Sequence, residues 1–314
     1  MSAPTDVAAG LPAALPPPDA QEWEVGASDS LWRLTLRRFL AHRLAVISLL
    51  VLALIVLAVL AGPLLSPYDP NKPELDDIFL GPSPAHPFGT DSVGRDLLTR
   101  VLYGGRISLL VGTLAVTVAI GLGVLVGAVS GFLGGVVDVV LMRFVDVMLS
   151  FPRLFLLILA SVFLRDTLPS VLIIILVLGT LSWMGVARLV RGSFLSLRER
   201  EFIEAAKAAG TRNRHLVLRH LLPNAMAPII VAATLGVATA IISESTLSFL
   251  GLGIQPPTPS WGNMLKDAET DMMDAPWVAV FPGLAIFLVV VAINFVGDGL
   301  RDALDPRHVQ RRRE

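Results

Sequence analysis

From residue 44 onward the chain alternates long runs without charge and short polar breaks. A helix needs roughly 20 mainly apolar residues to cross a bilayer, and several runs meet that length. The stretch after Arg43 carries no charge until Asp69, which places a first span at 44–64. A second lies within 107–137, between Arg106 and Asp138. The third is less clean, because Arg143, Asp146 and Arg153 precede "LFLLILASVFL". A fourth fits between Asp166 and Arg188, a fifth between His220 and Glu244, and a sixth between Asp274 and Asp298. The pattern predicts an all-α integral membrane protein with six transmembrane helices.

The segments around these spans have characters of their own. In "SLWRLTLRRFLAHRL", Trp32, Leu36 and Phe39 fall at helical spacing beside Arg33, Arg37 and Arg38. That suits an interfacial helix on anionic membrane lipid; a plain extension of the first span is the alternative. Residues 1–30 are rich in Pro, Ala and Asp, with neither a basic start nor an apolar core. They read as a disordered tail and not as a cleaved signal peptide. Gly123, Gly127, Gly131 and Gly135 recur every fourth residue along the second span, where such a stripe predicts a close helix-packing seam.

Composition sharpens this picture. Of 314 residues, 54% are hydrophobic and only 16% are charged, against about 25% charge in soluble domains. The net charge of −1 hides a strong bias. With both ends inside, inward segments hold 18 basic residues and outward ones five; the positive-inside rule then makes both termini cytoplasmic. The outer loops are acidic instead. There is no cysteine, so disulfides, thiolate ligands and cysteine nucleophiles are excluded. A phosphate-binding loop is missing, since the chain has no Gly-Lys pair, and none of His42, His86, His215, His220 and His308 opens an H-E-x-x-H metal motif. No G-x-S-x-G elbow occurs either. An ATPase or hydrolase site within this chain is therefore not expected.

One polar insert interrupts the apolar pattern, "REREFIEAAKAAGTRNRHLVLRHLLPN" at 198–224. Its first half is a strong helix former, with Phe202, Ala206 and Ala209 on one face, and Gly210 is placed to end it. The second half pairs Val217 with Leu221 and Leu218 with Leu222, while Arg212, His215 and Arg219 share a basic side. The expectation is a compact cytoplasmic helix–turn–helix. Small side chains let a partner approach, and Glu204 offers a carboxylate to a partner's arginine; a merely solvated loop helix is the alternative.

Ionisable groups inside spans are functional candidates. Arg153 follows Pro152, which should kink the third helix where it can line a path. It either meets cargo there or serves the structure. Glu244 closes the fifth span, as a gate, as a contact for a delivery protein, or as a packing cap. Arg143 and Asp146 are spaced to pair, Asn294 to hydrogen-bond between helices, and Trp261 and Trp277 to anchor at the interface.

Glu204-Ala205-Ala206, then Gly210, His220 and Leu222-Pro223, resemble the EAA signature of ABC importer permeases. "HPFGTDSVGRDLLTRVLYGGRISL", "MRFVDVMLSFPRLFLLI" and "SESTLSFLGLGIQPPTPSWGNML" resemble the dipeptide, oligopeptide and nickel branch, closest to its C-type subunit. The likeness covers residues 31–304. It implies a type I permease bundle with a core at 103–304, preceded at 31–102 by the interfacial helix, first span and outer loop, and followed by a basic tail at 305–314. It implies that Glu204, Ala205, Ala206, Gly210 and Arg212 form a coupling region that docks a separate ATP-binding subunit. A homologous permease chain, two ATP-binding subunits and an extracytoplasmic binding protein are the implied partners, with no nucleic acid. No cofactor is expected in this chain, ATP and magnesium being held by those subunits. The implied cargo is a di- or oligopeptide, imported across the plasma (cell inner) membrane. Nickel, glutathione or another small solute is the alternative within the family. A self-sufficient secondary transporter is a rival from another class; it predicts internal repeats and midplane carboxylates, and the carboxylates here cluster at span ends. Arg153 and Glu244 are the candidates for the path or gate.

Overall fold

The computed structural model describes residues 31–165 and 167–305. The expectations for the 1–30 tail, for 306–314 and for Asp166 lie outside the described residues. A short helix α1 (Leu31–Ala41) leads into α2 (Arg43–Leu65), and a long excursion with one 3₁₀ turn connects it to α3 (Leu97–Leu133). Then follow α4 (Gly135–Ser150), α5 (Arg153–Leu164), α6 (Ser170–Thr180), α7 (Trp183–Arg198) and α8 (Glu201–Ala208). A single turn, α9 (Asn213–His215), passes through a π-helical turn (Leu216–Leu221) into α10 (Leu222–Phe249); α11 (Trp261–Asp271) and α12 (Trp277–Leu304) complete the bundle. No strand occurs among the described residues.

Among the described residues, five helical stretches are long and apolar enough to cross a membrane, and a sixth span results if the pair α4–α5 counts as one. That pair bends by 88° at Phe151-Pro152, where Pro152 caps α5. Proline cannot donate to a preceding turn, so the predicted kink is a full corner. The fourth span is also interrupted, at Leu181-Ser182, between α6 and α7. The 37 residues of α3 make it about 55 Å long, and it carries much of the packing.

The glycine stripe of α3 seats α7. A Cβ at Gly123 would lie 2.5 Å from that of Val186, one at Gly127 would lie 2.5 Å from the Ala187 carbonyl oxygen, and one at Gly131 would lie 2.7 Å from that of Phe194. Gly135 does not belong to this seam. It has a φ of 54° just past the end of α3, and a Cβ there would meet nothing within 4 Å.

The bundle has two unlike ends. At one, the 66–96 excursion and α11 lie over the starts of α3 and α12; at the other are α1, α8 and the last turn of α12, with Phe39 packed against Ala45 and Ala303. These are called the loop end and the insert end below. Several local expectations need correction. Trp261 is no interfacial anchor: it is fully buried and donates from its indole nitrogen to the Val101 carbonyl at 2.9 Å. Trp277 likewise donates inward, to the Thr90 carbonyl at 3.1 Å. Asp146 accepts from Arg188 on α7 and not from its neighbour Arg143. Asn294 is exposed on α12 and makes no side-chain hydrogen bond among the described residues.

Candidate functional site

The insert begins where α7 ends and turns sharply at Glu199-Arg200 into α8. Ile203 fixes it: fully buried, it packs with Val190 and Phe194 of α7, and with Leu216, Leu221 and Ala225 at the base of the fifth span. Ala206 packs against the same cluster. The opposite side of α8 presents Glu201, Phe202, Glu204, Ala205, Ala208 and Ala209 to the outside. The predicted Phe202–Ala206–Ala209 face is thus not a unit, because the anchor is Ile203, and Phe202 is 44% exposed.

Gly210 ends α8 as the sequence predicts. Its φ is 75°; its N–H donates to the Lys207 carbonyl, and that of Thr211 reaches back to Ala206 at 3.1 Å. This is a Schellman cap, which calls for a left-handed residue and hence favours glycine. A Cβ there would meet nothing within 4 Å, so the glycine serves backbone handedness. Beyond it, the expected second helix of a helix–turn–helix is not a separate element. It continues through the π turn straight into α10, and the wider turn brings Leu216 and Leu221 onto one buried face. The predicted i,i+4 pairs gave way to this i,i+5 spacing. Glu204, Ala205, Gly210 and Arg212 lie exposed at one corner of the molecule, whereas Ala206 turns inward. Glu204 makes no ion pair among the described residues.

A second cluster lies within the bundle. Arg153, first residue of α5, donates from Nη2 to Ser182 Oγ at 3.0 Å, so the breaks in the third and fourth spans meet. Both side chains line a cavity of about 130 Å³ between α3, α6, α7 and α10. On the insert side, Asp138 holds Arg191 through both carboxylate oxygens and also takes the Ser130 hydroxyl.

Glu244 is not with Arg153. It is fully buried near the end of α10, where Ser108, Ser248 and Ser260 donate to it at 3.1, 2.7 and 2.9 Å, with Ser245 at 3.5 Å. Each of the first three hydroxyls also accepts a backbone N–H, from Trp261, Ile254 and Asn263 respectively. One carboxylate therefore gathers α3, α10, α11 and the 250–260 loop. Of the roles considered for Glu244, this geometry supplies the packing one directly. The serines were the missed signal: in "SESTLSF" Ser245 and Ser248 follow the glutamate at +1 and +4, although only the fold brings in Ser108 and Ser260.

The excursion before α3 is tied down in the same manner. Asp96 caps α3 by accepting the Thr99 amide at 2.8 Å, and it binds His86 Nδ1 at 2.9 Å. Buried Arg100 donates to the Pro70 carbonyl and sits within 4 Å of Asp91 and Asp267. Burial pushes the Asp267 carboxyl above the usual carboxylate range, against the opposing pull of Arg100 and Arg95.

Residues 119–310 match the family described as binding-protein-dependent transport system inner membrane component. The chain belongs to this family. Residues 30–82 match a second one, the N-terminal TM domain of oligopeptide transport permease C. The permease is 43% identical to the dipeptide transport system permease protein DppC of Alkalihalophilus pseudofirmus, over 93% of this chain and 94% of that protein. It is 46% identical to the oligopeptide transport system permease protein OppC of Escherichia coli K12, over 88% and 92%. Its fold is shared with a chain in inward-facing structures of the MetNI methionine ABC transporter, at a TM-score of 0.54 and 22% identity, over 67% of this chain and 97% of that one. The resemblance drawn from the EAA and flanking motifs is borne out, and so is the all-α membrane bundle. The protein is an ABC transporter permease, a transport component and not an enzyme.

Proposed function

We propose that this permease forms half of the translocation path of an ATP-driven importer of di- and oligopeptides. Its relatives of similar length are dipeptide and oligopeptide permeases, which supports that cargo over nickel or glutathione. The partners are a homologous permease chain, two ATP-binding subunits that hold ATP and magnesium, and an extracytoplasmic binding protein. The basic bias of the insert-end segments supports a plasma-membrane orientation with both termini cytoplasmic.

The observation that carries the coupling role is the two-sided build of α8. One side is locked to α7 and α10 through Ile203, while the other offers Glu204 and Ala205 with no partner among the described residues. A body seated on that face moves the bases of the fourth and fifth spans together. When ATP binding closes the nucleotide-binding subunits, the differential contact at α8 shifts the bundle between its two states. Glu204 is the ion-pair partner, Ala205 and Gly210 leave the surface low, and Arg212 adds a positive edge.

The test is reconstitution of the complex, purified with its co-isolating subunits, into liposomes with the binding protein. ATP-dependent accumulation of a labelled dipeptide is expected. Uptake by this chain alone, without ATP, would replace the reading with a secondary carrier.

A further inference from the structure

The interrupted third and fourth spans form one constellation that the docking role does not use. Broken backbone at membrane depth is tolerated where it is buried in protein or lines a polar cavity. Here the two breaks face each other across the Arg153–Ser182 hydrogen bond. The cavity they border is lined by Ala119, Ala232, Gly236 and Ala240 together with the bulkier Ile120 and Leu178, and the Thr239 hydroxyl is also at its lining. Arg153 differs from Arg106, Arg188 and Arg191, although Arg143 on α4 likewise has no carboxylate partner among the described residues. Arg188 and Arg191 each hold a carboxylate, and Arg106 donates to the carbonyls of Val59 and Leu60. No carboxylate lies within salt-bridge distance of Arg153 among the described residues; its one side-chain partner is a neutral hydroxyl.

Arg153 borders this cavity but is exposed on the surface of the single chain, and a guanidinium at membrane depth without a counter-charge is costly. It is best satisfied by a planar carboxylate that accepts two parallel N–H bonds. We infer that Arg153, with Ser182, forms a transient site for a carboxylate of the cargo, the C-terminal one of a peptide. The inference rests on the peptide-import reading. The chamber of about 130 Å³ has room for a backbone terminus. Ser182 holds the guanidinium in place between cargo molecules and is displaced or shared when a carboxylate arrives. Arg153 is then a specificity-determining residue of the path.

The test uses the full importer in liposomes, with ATP and saturating binding protein. A peptide with a free C-terminal carboxylate is compared with its amidated counterpart. The wild type should favour the free acid by about tenfold in transport efficiency, as loss of one charged hydrogen-bonding pair predicts. Arg153→Gln should bring the ratio near one, by slowing only the free acid, and Arg153→Lys should keep part of the preference. Because the same binding protein serves every variant, a change in ratio belongs to the permease. Assembly of each variant is checked by co-purification of the subunits. Equal loss of both peptides in Arg153→Gln, or an unchanged ratio, would overturn the site. Failure of the assembled wild type to move either peptide would overturn the peptide reading, and this site with it.

Discussion

The loop end and the insert end of this permease are held together by different forces. At the loop end, buried polar groups do the joining: Glu244 with its serines, Asp96 with His86 and Thr99, and Arg100 with Asp91 and the Pro70 carbonyl. Hydrogen bonds in a low-dielectric interior are directional, and leaving one unmade is expensive. That end is therefore fixed in a single arrangement. At the insert end, α8 is held by Ile203 in an apolar cluster, and α7 lies in the glycine groove of α3. Such contacts are close but less directional; the polar groups of α8 point outward, and the Asp138–Arg191 pair is the directional contact that ties α4 to α7. The contrast is one of means: buried hydrogen bonds join the loop end, whereas α8 at the insert end is held mainly by apolar packing.

Substitutions can break or sharpen this contrast. Gly127→Val should do most, because its Cβ would meet the α7 backbone, which cannot yield as a side chain does. The loss should reach or exceed the upper end of the roughly 1–3 kcal/mol typical of overpacking, seen as a fall in the detergent melting temperature and in recovered complex. Gly121→Ala, with nothing within 4 Å, is the matched control and should be neutral. Glu244→Ala should cost about 3 kcal/mol by orphaning several hydroxyls, and the same melting assay should show Glu244→Gln costing less. Gly210→Ala asks a residue with a Cβ to take a φ of 75° and should cost about 1 kcal/mol; its signature is faster amide exchange confined to 201–212. Glu204→Ala should leave stability within about 0.5 kcal/mol, while ATP hydrolysis by the assembled importer loses its stimulation by loaded binding protein. If melting fell and stimulation survived, the outward face of α8 would be structural instead.

Much of this was legible from the chain. The apolar runs located the spans, Pro152 marked the break in the third, and the glycine period marked a packing seam whose partner, α7, only the fold assigns. What the sequence hid was long-range polar pairing. Asp146 and Arg143 look like partners because they are close in sequence, yet Arg188 on another helix takes the carboxylate. Trp261 reads as an interfacial ring, but only the fold shows α11 dipping under the loop to bury it. The π turn before α10 was likewise invisible, since i,i+4 leucine pairs read as ordinary helix. At the insert, the EAA residues stand out by resemblance, whereas Ile203, the residue that anchors α8 to α7 and α10, carries no mark beyond its hydrophobicity.

The most direct test of the coupling role uses the absence of cysteine in this chain. Ala205→Cys then carries a single thiol on the exposed face of α8, to which a maleimide benzophenone can be attached before ultraviolet irradiation of the native membrane. A cross-link from position 205 to an ATP-binding subunit is expected, with a yield that changes when ATP is added. The same label on Leu54→Cys, on the apolar face of α2, should give none. Labelling of lipid alone from position 205, or a yield equal to that from position 54, would contradict the coupling role.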